Sequence, residues 1–137
     1  MTNQAVVIYP GTTKRAEAIE WQNGKLLSFL YETIGCDCVD SGPLLQTHVG
    51  EMIFWVDDTG LVNGSAPEYN DYAIGIARAC GWPVAALAGV VVVTGGYDCV
   101  GHTLGLSEPL ADLIVATVAD AAERAGQEAG ANGRSVL

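Results

Sequence analysis

The chain has 137 residues, which is enough for one domain of ordinary size. Half of its residues are hydrophobic and 16% are charged, and this composition excludes a disordered chain. Acidic residues outnumber basic ones by 16 to 6, so the net charge of −10 excludes direct nucleic-acid binding through a basic surface.

The sequence shows no targeting or membrane segment. Its amino-terminal residues have no basic stretch followed by an apolar run, so no secretory signal is predicted. The longest nearly uncharged stretch, 81–97, is too short and too rich in glycine to span a membrane. We therefore expect a cytoplasmic protein with no membrane partner, in which the four cysteines are thiols and not disulfides.

The first third of the chain predicts two strands, a helix and a third strand. Residues 5–9 form a β-branched run that predicts a strand, and 16–21 alternate as its hairpin partner would. A helix should follow, because four apolar residues recur at helical spacing and share one side: Leu27, Leu30, Tyr31 and Ile34. Gly35 is placed to end this helix in the left-handed conformation, and 36–40 read as a strand.

The middle of the chain predicts another strand and helix. Residues 50–56 are a strongly apolar strand, and 57–60 have the composition of a tight turn. A second helix is expected to start at Ser65 or Ala66, just before Pro67. Its apolar positions at helical spacing are Tyr69, Tyr72, Ala73, Ile76 and Cys80.

The last third predicts a strand pair and the longest helix. Residues 88–94 are apolar on both faces, so this strand should be central and covered on both sides. Residues 100–106 are expected to return as its antiparallel neighbour. A helix follows Ser107 and should end at Gly126. Its predicted buried face consists of Leu110, Leu113, Ile114, Val118 and Ala121.

The predicted order of elements is therefore ββαββαββα. Strands in adjacent pairs followed by helices indicate the α+β class with a mainly antiparallel sheet, and not a doubly wound fold. We expect one domain at 1–126 and a flexible tail at 127–137.

Several segments together resemble a known family. They are IGCDCVDS at 34–41, MIFWVDDTGLVNG at 52–64, YNDYA at 69–73, and AGVVVVTGGYD with HTLGLSE between 88 and 108. These segments resemble a family of unknown function found in short proteins of actinobacteria and of their phages and plasmids. The family pattern has a W-V-D-D/E-x-G-L strand and turn, an Asn that starts a helix, and G-L-S/T before the last helix.

The chain departs from that pattern at two places. The family usually has proline after the helix-starting Asn, where this chain has Asp71. The family is usually acidic and polar before Thr103, where this chain has Cys-Val-Gly-His at 99–102. The resemblance implies an origin in a mobile element and a location in the host cytoplasm. It implies no catalytic residue, since the family has no assigned activity.

The cysteines and acidic pairs have simple structural interpretations. Cys36 and Cys38 would share one strand face, but a single pair at this spacing does not match a zinc site. Asp57 and Asp58 lie in a turn sequence, where an Asp side chain commonly bonds a nearby backbone N–H. We therefore predict no metal and no cofactor.

A catalytic alternative stays open at two places. His102 follows Cys99 by three residues across a predicted loop, so the two side chains could either meet as a thiol–imidazole pair or both lie exposed in the loop. Asp57 and Asp58 could likewise act as an acid–base pair. A small enzyme using either pair is one hypothesis for function.

A short loop after the first predicted strand combines hydroxyl groups with two cations. Gly11 opens this loop, which continues through Thr12, Thr13, Lys14 and Arg15. Loops that follow strands often hold phosphate, but this one lacks the spacing of a P-loop. Two interpretations remain open, a solvated hairpin loop and a site for an anionic group.

Aromatic residues indicate a partner surface. Phe54 and Trp55 are neighbours on a strand and must face opposite ways, so if one of them lies in the core, the other is expected to be exposed or at an interface. We therefore expect a homo-oligomer.

The favoured hypothesis is a non-catalytic binding protein of a phage or mobile element. Its ligand would be a small nucleotide-like molecule, in one version an immune signal that the protein sequesters. The candidate ligand-binding residues are Thr12, Thr13, Lys14, Arg15, Trp55, Tyr69, Asn70 and Arg78. The alternative in the binding class is an acidic inhibitor that binds a host protein by mimicking DNA.

Overall fold

An antiparallel sheet with helices on both faces forms the fold. The computed structural model describes residues 2–11, 15–58 and 68–135. Within these residues the elements are β1 Thr2–Ile8, β2 Ala16–Gln22, α1 Leu26–Ile34, β3 Val39–Ser41, β4 Leu45–Thr47, β5 Gly50–Asp57, α2 Asp71–Ala79, β6 Val91–Thr94 and α3 Glu108–Ser135. The predicted α+β class and its three helices are confirmed.

The strands are arranged in the order β2-β1-β6-β5-β3. β4 pairs with the first three residues of β5, whereas β3 pairs with the last three. Every pairing is antiparallel. β6 is central, because Val92 pairs with Val7 of β1 on one side and with Trp55 of β5 on the other. All four residues of β6 are buried, as its uniformly apolar sequence predicts.

Side-chain alternation divides the interior into two cores. Val6, Phe54 and Val93 lie on the face covered by α2 and α3. The neighbouring residues along the same strands point to the other face and pack under α1, where Leu30 is fully buried and Trp21 stacks on Phe29. The sheet is thus covered on both sides, and Phe54 and Trp55 face opposite ways as expected. Trp55 does not stand exposed, however, because it packs against the core under α1.

The predicted apolar side of α1 is wrong in part. Gly35 ends the helix with φ 78°, in the left-handed conformation expected of it. Leu30 is buried, but Leu27 and Tyr31 are 55% and 36% exposed. The helix is rotated from the predicted orientation because Leu26 and Phe29 also pack toward the sheet.

Two further elements differ from the prediction. β4 has no predicted counterpart, and its three residues pair with the start of β5. The helix α2 begins at Asp71 and not at 65–67, which lie outside the described residues. Tyr69 is not helical and instead forms a bridge with Ala88.

The segment after β6 turns back on itself without forming a full strand. The only ladder contact found there among the described residues is the bridge between Tyr97 and Thr103, so the prediction of a strand at 100–106 is wrong. The return is antiparallel, since the Gly95 N–H donates to the Leu104 carbonyl at 3.0 Å. A Cβ atom on Gly95 would lie 2.3 Å from the Gly105 carbonyl oxygen, so only glycine allows this crossing.

The helix α3 is longer than predicted and uses a narrower buried face. Leu110, Ile114 and Val118 are buried against the sheet. Leu113, which was also expected in the core, is 54% exposed. The helix does not end at Gly126, since its backbone continues to Ser135.

Two glycine substitutions are expected to have opposite effects on stability. Gly95→Ala would push a methyl group into the Gly105 backbone and should lower the free energy of unfolding by roughly 3 kcal/mol. Gly75→Ala, within α2, meets no atom within 4 Å and should raise it by about 0.5–1 kcal/mol through helix propensity. Urea unfolding measures both, and wild-type stability in Gly95→Ala would contradict the close crossing.

Candidate functional site

A groove lies between α2 and α3, on the sheet face opposite α1. Its volume is about 310 Å³. α2 contributes Tyr72 and Ile76 to the lining, α3 contributes Leu113 and Ile114, and β5 contributes Met52. The lining is therefore almost entirely apolar, and we call this site the α2–α3 groove.

Small residues keep the groove open. Gly75 and Ala79 are one helical turn apart on α2, and both line the groove and are exposed. Thr117 and Ala121 occupy the matching positions on α3. Because none of these four has a large side chain, the two helices leave between them a space that larger residues would fill.

Few polar groups face the groove, and the two threonine hydroxyls among them are engaged. The Thr117 hydroxyl donates to the Leu113 carbonyl at 2.7 Å, and the Thr47 hydroxyl donates to the Gly50 carbonyl at 2.8 Å. Burial raises the pKa of the Cys80 thiol, which is therefore protonated at neutral pH. Asp71, at the amino-terminal end of α2, lines the groove and contributes a carboxylate. This arrangement can bind an apolar group and offers no activated nucleophile.

The predicted phosphate loop lies at a different place, at the end of β1. Thr12, Thr13 and Lys14 lie outside the described residues. Arg15 is exposed, and its carbonyl accepts the Tyr9 N–H at 2.8 Å. A Cβ atom on Gly11 would lie 3.1 Å from the Glu68 carboxylate. The fold thus brings the start of this loop beside the 68–70 segment.

Asn70 is fully buried and serves the fold. Its side-chain amide donates to the carbonyls of Ile8 at 2.8 Å and Gly89 at 2.9 Å. Its side-chain oxygen accepts the Ala73 N–H at 3.1 Å and so caps α2. Both amide N–H groups and the oxygen are therefore used, while the adjacent Tyr69 is 50% exposed.

The remaining predicted ligand residues lie elsewhere. Trp55 packs in the core under α1, where its indole N–H donates to the Thr94 hydroxyl at 2.8 Å. Arg78 is exposed near the end of α2, and its guanidinium donates to the carbonyls of Val84 and Ala85 at 2.9 and 3.2 Å. The structure therefore brings Tyr69 and Asn70 near Gly11, at the described start of the loop, but places Trp55 on the opposite face of the sheet.

Asp98 holds the turn that contains Cys99 and His102. Its carboxylate accepts the backbone N–H groups of Val100 and His102, both at 2.9 Å. The His102 N–H and the other backbone donors hold the pKa of Asp98 below its usual value. The His102 ring lies 3.5 Å from the same carboxylate, while Cys99 is exposed. Asp98 therefore acts as a turn former here.

Asp57 and Asp58 border a shallow cleft of about 220 Å³ at the β3 edge of the sheet, together with Asp40 and Trp82. Burial, followed by the negative charge of Asp57, raises the pKa of the nearby Cys36 thiol.

Within the described parts of the chain, no three His, Cys, Asp or Glu side chains group closely enough to hold a metal ion.

Comparison with protein-family models finds no matching family, and searches of curated proteins and of solved structures find no match either. The resemblance based on 34–108 thus stays a prediction. Among the residues that the structure describes, no helix has the length and apolar character needed to cross a membrane.

The α2–α3 groove was not predicted from the sequence. Leu113 has the helical spacing of a core residue, and nothing in that spacing distinguishes a groove wall from a buried face. The signal that could have been used is Gly75, a glycine inside an otherwise regular helix, which often marks a packing or functional requirement.

Asn70→Ala should strongly destabilise the protein, since it leaves two carbonyls and one N–H without partners in a buried place. We expect a loss of roughly 2–4 kcal/mol in the free energy of unfolding, measured by urea titration. Asp71→Asn, the exposed neighbour, is the control and should change stability by less than about 0.5 kcal/mol. Equal effects of the two substitutions would contradict the assigned role of Asn70.

Proposed function

We propose that the protein is a non-catalytic binding protein and that the α2–α3 groove is its binding site. The observation that carries this proposal is an apolar groove of about 310 Å³ held open by small residues. Ligand-binding sites are typically concave, mostly apolar and roughly 300–1,000 Å³ in volume. The groove falls within this range and has a carboxylate, Asp71, at one end.

Gly75 supports this proposal. A glycine inside a helix costs about 0.5–1 kcal/mol relative to alanine. A Cβ atom at this position would meet nothing within 4 Å, so packing inside the domain does not require glycine. An occupant of the groove that approaches the α2 backbone would instead explain why position 75 is glycine.

Leu113 supports the same site. Its side chain is 54% exposed although it lies on the helix face that borders the groove. Covering the apolar surface of such a side chain is favourable by about 25 cal/mol for each Å² removed from water. An occupant of the groove would gain this contribution from Leu113 and from its neighbours in the lining.

The structural use of the polar side chains supports a non-catalytic role. Asn70 and Asp98 bind backbone groups, and Arg78 binds two carbonyls. The Cys80 thiol beside the groove is protonated at neutral pH. Among the described residues, these candidate reactive groups either stabilise turns and caps or lack activation.

Filling the groove should abolish the binding of an apolar probe. Nile red, a neutral dye that fluoresces in apolar surroundings, is expected to bind the wild-type protein. Gly75→Leu should weaken this binding by about tenfold or more, because the added side chain occupies the open space. Fluorescence titration measures the affinity.

The matched control is Ala116→Leu, which adds the same side chain to an exposed position of α3 outside the groove lining. This variant should bind Nile red like the wild type. Undiminished binding by Gly75→Leu, with both variants folded by circular dichroism, would reject the groove as the site.

Sequestration of a nucleotide-derived signal is the second candidate, and the closeness of Gly11 to Glu68 favours it. Glu68 precedes the half-exposed Tyr69, and Arg15 is exposed, so a stacking surface and a cation are candidate contacts for a base and a phosphate. The Glu68 carboxylate next to the loop opposes binding of a phosphate.

The nucleotide hypothesis has a direct test. The protein would be incubated with cyclic dinucleotides, separated from free ligand and denatured by heat. Recovery of intact nucleotide, with its loss in Tyr69→Ala, is the expected result for a sequestering protein. Absence of recovered nucleotide would eliminate this candidate and leave the groove hypothesis unaffected.

A further inference from the structure

We propose that the occupant of the α2–α3 groove is a cationic amphipathic helix of a partner protein. This inference rests on the proposed function, since it names the partner of the same site. It is carried by the shape of the groove, by the small residues along it and by the charges around it.

The groove is long and open. Along α3 its lining extends from Leu110 to Ala121, which is about 16 Å at 1.5 Å per residue. Along α2 it extends from Asp71 to Ala79, or about 12 Å, and Cys80 follows at the end of the helix. Leu113 and Gly75 are both exposed, so the groove opens to solvent and does not enclose its ligand. An open groove of about three helical turns fits a helix better than a small molecule, which a pocket normally surrounds.

The small residues permit close approach of another backbone. Gly75 and Ala79 follow one another at i and i+4 on α2, as do Thr117 and Ala121 on α3. The apolar side chains of a docked helix, spaced at i, i+3, i+4 and i+7, would enter the groove between these two rows. Met52 and Ile114 would then contact the tips of the docked side chains.

The charges around the groove favour a cationic partner. Among the described residues that line the groove, Asp71 alone is charged. The two arginines on the groove helices whose side chains are described are engaged, Arg124 with Asp120 and Arg78 with the Val84 and Ala85 carbonyls. With a net charge of −10, the protein would repel an acidic segment, a fatty acid or a second copy of itself.

The probe for this inference is a synthetic peptide of about three to four helical turns, with leucine at i, i+3, i+4 and i+7 and lysine at the flanking positions. Its partner peptide has glutamate in place of every lysine. The lysine peptide is expected to displace Nile red and to become helical on binding. The glutamate peptide should bind at least about tenfold more weakly.

Variants locate the contact. Gly75→Leu should abolish binding of the lysine peptide, and Leu113→Ala should weaken it by about fivefold or more. Leu27→Ala is the matched control, because Leu27 is 55% exposed on α1, on the other face of the sheet, and should have no effect. Asp71→Asn should weaken binding by about threefold, with a smaller effect at high salt.

The outcomes separate this inference from the proposed function. Nile red binding that depends on Gly75, without binding of the lysine peptide, would overturn the helical partner and leave the groove as a small-molecule site. Equal binding of both peptides would overturn the cationic character of the partner. Self-association abolished by Gly75→Leu would identify a second copy as the occupant. Failure of both dye and peptide would reject the proposed function as well.

Discussion

The position of one helix depends on a single buried carboxamide. Asn70 joins the end of β1, the segment before β6 and the first turn of α2 through its contacts with Ile8, Gly89 and Ala73. Its backbone N–H adds a fourth contact, to the Leu87 carbonyl at 2.8 Å. A buried amide must satisfy all its hydrogen-bonding groups, and few other arrangements of these chain segments would do so. The orientation of α2 on the sheet follows from this constraint.

The proposed site is a consequence of where α2 is held. α3 lies over β1 and β2 and packs Leu110, Ile114 and Val118 against the sheet. α2 is short and is anchored at its start by Asn70 and near its end by Arg78. Asn70 thus holds the start of α2 to β1 and to the segment before β6, and Arg78 holds its last turn to the loop that follows. The position of α2 set by these contacts leaves the groove between α2 and α3.

Much of the fold is predictable because strands and helices have local signals. The apolar run ending in Thr94 predicts a central strand, and Gly35 predicts the end of a helix. The start of α2 was misplaced because Pro67 is a strong local signal, whereas the capping role of Asn70 depends on distant carbonyls. The strand β4 has only three residues, too few for alternation to be recognised.

The candidate site was not predictable in the same way. Its walls come from segments about 40 residues apart in the chain, and the distance between them is set by tertiary packing. Leu113 and Ile114 are equally apolar, yet one is 54% exposed and the other 3%. The predicted ligand residues were chosen by chemical type, and Trp55 and Asn70 show that a polar or aromatic residue can be fully used by the fold itself.

The outer edge of β2 bears on how copies of this protein meet. Within the described residues, β2 pairs with β1 alone, so its other side offers free N–H and carbonyl groups along seven residues. Glu17 and Glu20 project from opposite faces of this strand, so a strand that pairs with this edge has a carboxylate beside it on each face of the sheet. Where two copies meet along this edge, like carboxylates are brought together, and their repulsion opposes the joining of two sheets.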